Sequence, residues 1–383
     1  MFDFGLFFKL GFRIFSLDRK SLRFLNLRRI ISALIILPFF LLLLISNRFF
    51  MMLDWIFFPG FRKMKLEKTV FIVGVPRSAT TYLLGIMAAD EEHFTGFKLW
   101  EILFAPSVIQ KYILWGIIKL DRLIGKPFYK LSLLSDRIFL KKLTRIHDTG
   151  LSKPEEDEML FLWAFASMYQ TFFFPGAKEL DPVLFFDEAI PAKKRKRLML
   201  FYKRCLQRHN YVFNRRETKY YLSKNPCFIC KTASLAETFP ESKLIYMLRS
   251  PVKTIPSTIS LNENVYSIFS GKVKYNPVAR ETKDAVIRWY KMADDSIREN
   301  WTGKNFIVPF KHITKLPGKT VTDIYSFLEI SPGEKIEKLL AEEQEKTKNY
   351  SSSHVYKPVP EELQKEIAEK LSFVVEGIYK DEI

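Results

Sequence analysis

The sequence predicts an α/β fold: a parallel sheet flanked by helices, with a helical cap inserted into it and an apolar helix ahead of it. Three observations predict this. From Thr69 onward, short β-rich runs alternate with helical stretches. Two of those runs end in residue types that bind anions, and residues 30–47 carry no charge at all.

The uncharged stretch from Ile30 to Asn47 is almost entirely Leu, Ile and Phe, which just reaches the length of a membrane-spanning helix, although Pro38 sits in its middle. A second apolar piece, Phe49 to Phe58, follows Arg48 and carries Asp54, which reads as an interfacial helix instead. Basic residues flank both sides, Arg23, Arg28 and Arg29 before and Arg62, Lys63 and Lys65 after, so charge bias sets no orientation. The same flanks suit an anionic membrane surface. Residues 1–65 are therefore expected to form a basic, apolar, membrane-associated segment, and residues 66–383 the catalytic domain.

Within that domain the strands are expected at Thr69–Val75, Lys219–Ser223, Lys243–Leu248 and Phe306–Phe310. Helices are expected at Thr80–Ala89, Thr232–Phe239, Val252–Leu261, Lys283–Asn300, Thr320–Leu328 and Glu361–Tyr379. In the fourth of these, Val286, Trp289, Tyr290, Ala293 and Ile297 fall at helical spacing and mark a core face. Residues from about 90 to 218, helical by pattern, interrupt the sheet and are expected to form the cap over an acceptor.

The formal charge of +18, from 60 Lys and Arg against 42 Asp and Glu, calls for an anionic partner. The aromatic residues sit in apolar runs such as Phe172–Phe174 and do not alternate with basic ones, which argues against nucleic acid. Three cysteines suit a reducing compartment. Cys227 and Cys230, with Phe228 and Ile229 between them, read as small apolar residues near a strand end in preference to a zinc set with Cys205 and His209.

The stretch Val70 to Tyr82 reads as a buried strand, a tight loop and the first turn of a helix, a P-loop-like anion site made of backbone amides and the helix dipole. Ser78, Thr80 and Thr81 add hydroxyl donors and Arg77 adds a positive fork. Against the pattern GxxxxGK[ST], Ala79 replaces the second Gly and Thr80 replaces the Lys that would hold a triphosphate. A second strand, Leu244 to Leu248, ends in Arg249, and a helix opened by Pro251 carries Ser257. Both elements lie at the carboxyl ends of strands, where ligands of open α/β sheets bind.

From about Asp54 to Tyr356 the chain resembles the sulfotransferases that use 3′-phosphoadenosine 5′-phosphosulfate (PAPS), in the branch whose loop reads roughly PRSGTT. The resemblance implies that Arg77, Ser78, Ala79, Thr80 and Thr81 grip the 5′-phosphosulfate, and that Arg249 and Ser257 hold the 3′-phosphate. It implies no metal. The segment Tyr220–Pro226 resembles the family's LKxP, making Lys224 the cation at the transferring group. His147 followed by Pro154, Glu155 and Glu156 resembles the family's His and PEE(D/E) elements, where a histidine or an acid faces the acceptor hydroxyl. Phe228 stands where many members carry a His, so His147 is placed first as base and Glu155 or Glu156 second. Asn349–Tyr356 resembles the family's late loop before the last helix, which either closes over the nucleotide or serves as a polar connector, and its residues taken singly read as the connector.

The resulting expectation is metal-free, in-line sulfuryl transfer from PAPS to a hydroxyl of a small molecule, lipid or glycan, by a membrane-associated protein with a cytosolic catalytic domain. A lumenal arrangement is the alternative topology. The other function classes are a non-catalytic nucleotide-binding protein of the same fold, motivated by Ala79 and Phe228, and a kinase with a degenerate loop.

Overall fold

A computed structural model describes residues 2–13, 27–127, 130, 133, 150–270, 275–348 and 361–376. Its centre is a five-stranded, wholly parallel sheet. The strands are β1 (Thr69–Gly74), β2 (Phe94–Thr95), β3 (Tyr220–Lys224), β4 (Lys243–Leu248) and β5 (Asn305–Pro309), in the order β2-β3-β1-β4-β5. Strand β1 lies in the middle, pairing Thr69 with Tyr221 on one side and Gly74 with Met247 on the other.

The β1 side chains are buried on both faces, as an all-parallel sheet requires, and alternation sorts them. Phe71 and Val73, with Tyr221, Leu244 and Tyr246, join the larger core. Val70 and Ile72, with Leu222, Ile245 and Met247, join a smaller core on the opposite face.

The expected β1, β3, β4 and β5 are present within one residue at each end, and Lys243–Leu248 coincides. Strand β2, only two residues long, was not anticipated because so short a run carries no periodicity. The helix expected at Val252–Leu261 continues to Ser270, and the one expected from Lys283 starts at Tyr275. Glu334–Lys348, also unanticipated, is a polar helix whose Ile336 and Leu340 reach the smaller core.

The amino-terminal segment departs from the two pieces anticipated. Helix α1 (Phe4–Arg13) is followed by a single 31-residue helix, α2 (Leu27–Phe57), which runs through Pro38, Arg48 and Asp54 without a break. The polar residues that pointed to an interruption are instead the ones that dock it. Asn47 and Asp54 are fully buried. Asn47 donates to Leu103 O at 3.0 Å and accepts from Gln110 Nε2 at 2.8 Å, while Arg48 donates to Trp163 O. Phe7, Leu10, Leu44 and Met51 belong to the same core as the sheet.

Helix α3 (Thr80–Ala88) follows β1; in the cap, α4 (Leu99–Phe104) and α5 (Val108–Leu123) pack beside α2, and the long α6 (Ala192–Phe213) packs against α5. Buried charges join these elements. Asp54 of α2 accepts from the amides of Val108 and Ile109 at the start of α5, at 3.0 and 3.1 Å, and from Arg208 Nε of α6 at 2.7 Å. Glu101 of α4 meets Lys111 of α5 at 3.1 Å and His209 of α6 at 2.9 Å. Burial alone would raise the Glu101 carboxyl, yet Lys111 and His209 hold it down at about 2. Burial pushes His209 below its ordinary value, and a neutral ring satisfies both neighbours by donating from Nδ1 to Glu101 and accepting at Nε2 from Thr95, 2.9 Å away.

Asp54 is thus the joint between the amino-terminal helix and the cap. Replacing it by Ala strands the buried Arg208 charge and uncaps α5, which costs roughly 3–5 kcal/mol. Urea unfolding should show that loss; a change under about 1 kcal/mol would mean the joint carries no weight.

Candidate active site

The site lies along the carboxyl ends of β1, β3 and β4. The loop after β1 is shaped by its backbone. A side chain on Gly74 would come within 2.4 Å of Met247 O and 2.6 Å of Ser78 Oγ, so only glycine lets β1 and β4 close up there. Ser78 is buried and donates to Val75 O at 2.7 Å, pulling the loop back on itself. Arg77 and Ala79 are both left-handed, with φ of 74° and 66°. Left-handed residues in such a turn aim successive amides inward, which builds an anion-binding concavity. Helix α3 (Thr80–Ala88) begins immediately after, and its first-turn amides have no intrahelical partner. Ala79 caps it without a side-chain bond and carries about 1–2 kcal/mol of strain that Gly would not.

The second element expected to hold a phosphate meets the first directly. Arg249, at the end of β4, donates from Nη1 to Arg77 O at 2.7 Å, and its guanidinium lies 4.3 Å from the Phe310 ring. Tyr290 holds the Arg249 carbonyl at 2.5 Å. Arg77 Nε donates to Ser257 Oγ at 3.1 Å, and Ser257 lies in the second turn of the helix α7 that we number here, Pro251–Ser270. The expected pair Arg249 and Ser257 is therefore bridged by Arg77. The buried Nε of Arg249 has no hydrogen-bond partner among the described residues. An orphaned guanidinium donor beside a concave nest of amides fits a ligand bearing two phosphate groups.

The third element is the acidic run Glu155–Glu158. It is not an α-helix start with Pro154 at its head; Glu156 caps a 3-10 helix, Asp157–Ala164. Its neighbours fix its position. Asp157 accepts from Tyr202, Tyr221 and Ser223 at 2.6, 2.7 and 2.8 Å, which ties the run to β3. Glu158 pairs with Lys231 at 3.0 Å and accepts from Ser167 Oγ and the Met168 amide at 2.6 and 2.9 Å. Between strand and loop, Glu156 meets Lys224 at 2.5 Å through one carboxylate oxygen and Tyr169 OH through the other. Lys224 in turn reaches Thr81 Oγ1 at 3.0 Å. Glu155 accepts from the Glu156 amide at 3.0 Å.

The structure therefore brings together Arg77, Ser78, Ala79, Thr80, Thr81, Arg249 and Ser257 on one side, and Lys224 with Glu156 beside them. His147 lies outside the described residues, as does the 349–356 loop. Tyr169 was missed by sequence reading. It sits in an aromatic run and reaches Glu156 only because the chain reverses at Phe165, which has a φ of 54°. The three cysteines are free and buried, and Cys230 Sγ donates to Cys227 O at 3.3 Å. No cluster of metal-ligating side chains occurs among the described residues.

With this geometry in view, comparison with known proteins is decisive on kinship. A profile of the sulfotransferase family matches residues 69–333, which contain both phosphate elements and Lys224. The chain belongs to the sulfotransferase family. Curated relatives from Mycobacterium bovis and Mycobacterium tuberculosis, each named omega-hydroxy-beta-dihydromenaquinone-9 sulfotransferase Stf3, are 29% identical over 210 residues. That alignment takes in 53% of this chain and 47% of theirs, so the chain spans about half the length of the curated relatives it matches. Among solved structures, the sulfotransferase STF9 from Mycobacterium avium superposes with a TM-score of 0.67 at 16% identity, over 86% of this chain and 82% of that one. STF1 from Mycobacterium tuberculosis H37Rv gives 0.63 at 16% identity, over 88% and 85%. Both share the fold with this chain.

Asp157 offers a pH test of the acidic run. Burial, opposed by its hydroxyl donors, pushes its carboxyl from 3.8 up to about 6. The folded state therefore holds this proton more tightly than the unfolded chain between about pH 4 and 6, and the stability it contributes is lost as pH rises through that window. Between pH 4.5 and 7.5 the cost of Asp157→Asn should shrink by on the order of 2 kcal/mol. Urea titrations at the two pH values measure it, and an equal cost at both would place the carboxyl at its ordinary value.

Proposed function

We propose that this protein transfers a sulfuryl group from PAPS to the hydroxyl of a lipid. The observation that carries the reading is the shared cluster in which Arg77 touches Ser257 and Arg249 while Lys224 touches Thr81, so that the phosphate-binding residues and the transfer-centre cation converge on one loop. Arg249 and Ser257 hold the 3′-phosphate, and Arg77, Ser78, Ala79, Thr80 and Thr81 hold the 5′-phosphate. When bound, PAPS supplies an electrophilic sulfuryl group on a phosphate leaving oxygen.

The chain's own residues do the rest. Lys224 would meet the leaving oxygen and offset its growing negative charge. Glu156 orients Lys224, and Tyr169 fixes the Glu156 carboxylate from its other side. The acceptor proton would pass to a base, His147 first and Glu155 or Glu156 second. Support for a lipid acceptor comes from the relatives named for a menaquinone derivative and from the long apolar helix α2. In this reading the protein works at an anionic membrane surface, with its catalytic domain in the cytosol.

Calorimetry with 3′-phosphoadenosine 5′-phosphate tests the reading. The bisphosphate should bind, and Arg249→Ala should weaken it by roughly 10- to 100-fold, as expected for a charged hydrogen bond worth about 1.5–3 kcal/mol. With labelled PAPS and a lipid extract, Lys224→Ala should slow transfer by about 10²–10³-fold, well beyond its effect on affinity. Binding of ATP with Mg²⁺ but not of the bisphosphate would return the protein to the kinase class. Bisphosphate binding without transfer to any lipid, and with Lys224→Ala silent, would make it a non-catalytic nucleotide-binding protein.

A further inference from the structure

The sides of α2 are unlike each other. Phe40, Leu44, Asn47, Met51 and Asp54 recur at helical spacing and are turned into the protein, two of them, Asn47 and Asp54, with polar partners there. On the other side Leu42, Ile45, Phe49, Met52 and Ile56 recur at the same spacing, each more than half exposed. A helix crossing a bilayer by itself meets hydrocarbon all round and buries no charged joint such as Asp54 to Arg208 in a water-soluble domain. From Phe40 to Phe57, α2 is part of the catalytic domain's surface and would have to carry that domain into the membrane with it.

The exposed apolar surface also extends beyond α2. Helix α5, which packs beside α2, exposes Ile113, Trp115, Ile117, Leu120 and Leu123, although it belongs to the cap and lies far along the chain. The charges around these helices are of one sign. In α2, in the 3-10 turn Pro59–Lys63 and across 108–126, every exposed charged residue among those described is cationic: Arg62, Lys63, Lys119, Arg122 and Lys126. The acids there, Asp54 and Asp121, are buried. Both exposed tryptophans carry a cation over the ring, Arg62 at 4.8 Å from Trp55 and Lys119 at 3.6 Å from Trp115. Aromatic rings paired with snorkelling cations are the chemistry of a headgroup boundary.

We infer that α2 does not span the membrane: α2 and α5 together form a monotopic face that lies in one anionic leaflet, with the basic residues at headgroup level. Helix α4, which packs on α2, is tied to the start of the Glu155–Glu158 run, Leu99 N donating to Lys153 O at 3.2 Å and Glu155 N to Phe97 O at 3.0 Å. A lipid acceptor therefore enters from the leaflet without crossing water, a consequence that rests on the sulfotransferase reading, whereas the docking itself does not.

Flotation of the full-length protein with phosphatidylcholine vesicles, with and without phosphatidylserine, tests this. Binding should require phosphatidylserine, weaken in high salt and be reversed by alkaline carbonate. Ile117→Glu combined with Leu120→Glu, on α5 alone, should lower partitioning by about tenfold or more, while calorimetric binding of 3′-phosphoadenosine 5′-phosphate stays unchanged. That second readout separates failure of the docking from failure of the proposed activity. If the double variant does not fold, brominated lipids should quench the wild-type emission, and Trp115→Phe should abolish part of that quenching. Resistance to carbonate with the α5 variant floating like wild type would show a spanning α2 and overturn the inference. So would a folded protein that ignores vesicles and pairs with a second copy through this face, or quenching that Trp115→Phe leaves unchanged.

Discussion

Everything at the candidate site depends on how three consecutive acids are held. Carboxylates placed side by side in a protein interior repel one another and pay for lost hydration, so each needs its own partner. Here each has one: Lys224 for Glu156, the Tyr202, Tyr221 and Ser223 hydroxyls for Asp157, and Lys231 for Glu158. Because Asp157 is fastened to β3 and Glu158 to the turn that follows it, Glu156 has little choice but to meet Lys224 at the strand's end. A residue can be placed within hydrogen-bond reach of a transfer centre only if its neighbours are immobile.

The phosphate loop solves a related problem with backbone in place of side chains. Gly74 lets β1 approach β4, Ser78 folds the loop inward, and the left-handed Arg77 and Ala79 turn its amides toward one point. The strain at Ala79 persists because the surroundings hold it, with Arg249 gripping the Arg77 carbonyl and Ser257 engaging the Arg77 side chain. One arginine thus joins both of the proposed phosphate elements. The buried charges of the cap work on a larger scale, with Asp54, Glu101 and Arg208 tying α2, α4, α5 and α6 into one body.

Much of this was legible in the sequence, for reasons that can be named. Four strands and the phosphate elements appear as local patterns, a run of β-branched and aromatic residues followed by a loop of small hydroxyl residues or an Arg, and local patterns survive folding. The left-handed conformation at Ala79 could be anticipated from the position where the family loop has Gly. Long-range partnerships left no such trace. Nothing in the spacing of Glu156 and Tyr169 announces that a reversal at Phe165 joins them. Arg48 and Asp54 read as breaks in an apolar helix because charges usually end such runs, and only tertiary pairing shows them to be its anchors.

The central claim is that one loop gathers both phosphates of the donor and the cation of the transfer step. A crystal structure with 3′-phosphoadenosine 5′-phosphate measures this most directly. The account predicts the 5′-phosphate on the amides of residues 77–81, the 3′-phosphate between Arg249 and Ser257, with Arg249 Nε satisfied, and Lys224 Nζ within about 3 Å of a 5′-phosphate oxygen. A bisphosphate bound away from Arg249, or a Lys224 still turned wholly to Glu156 and out of reach of that oxygen, would contradict it.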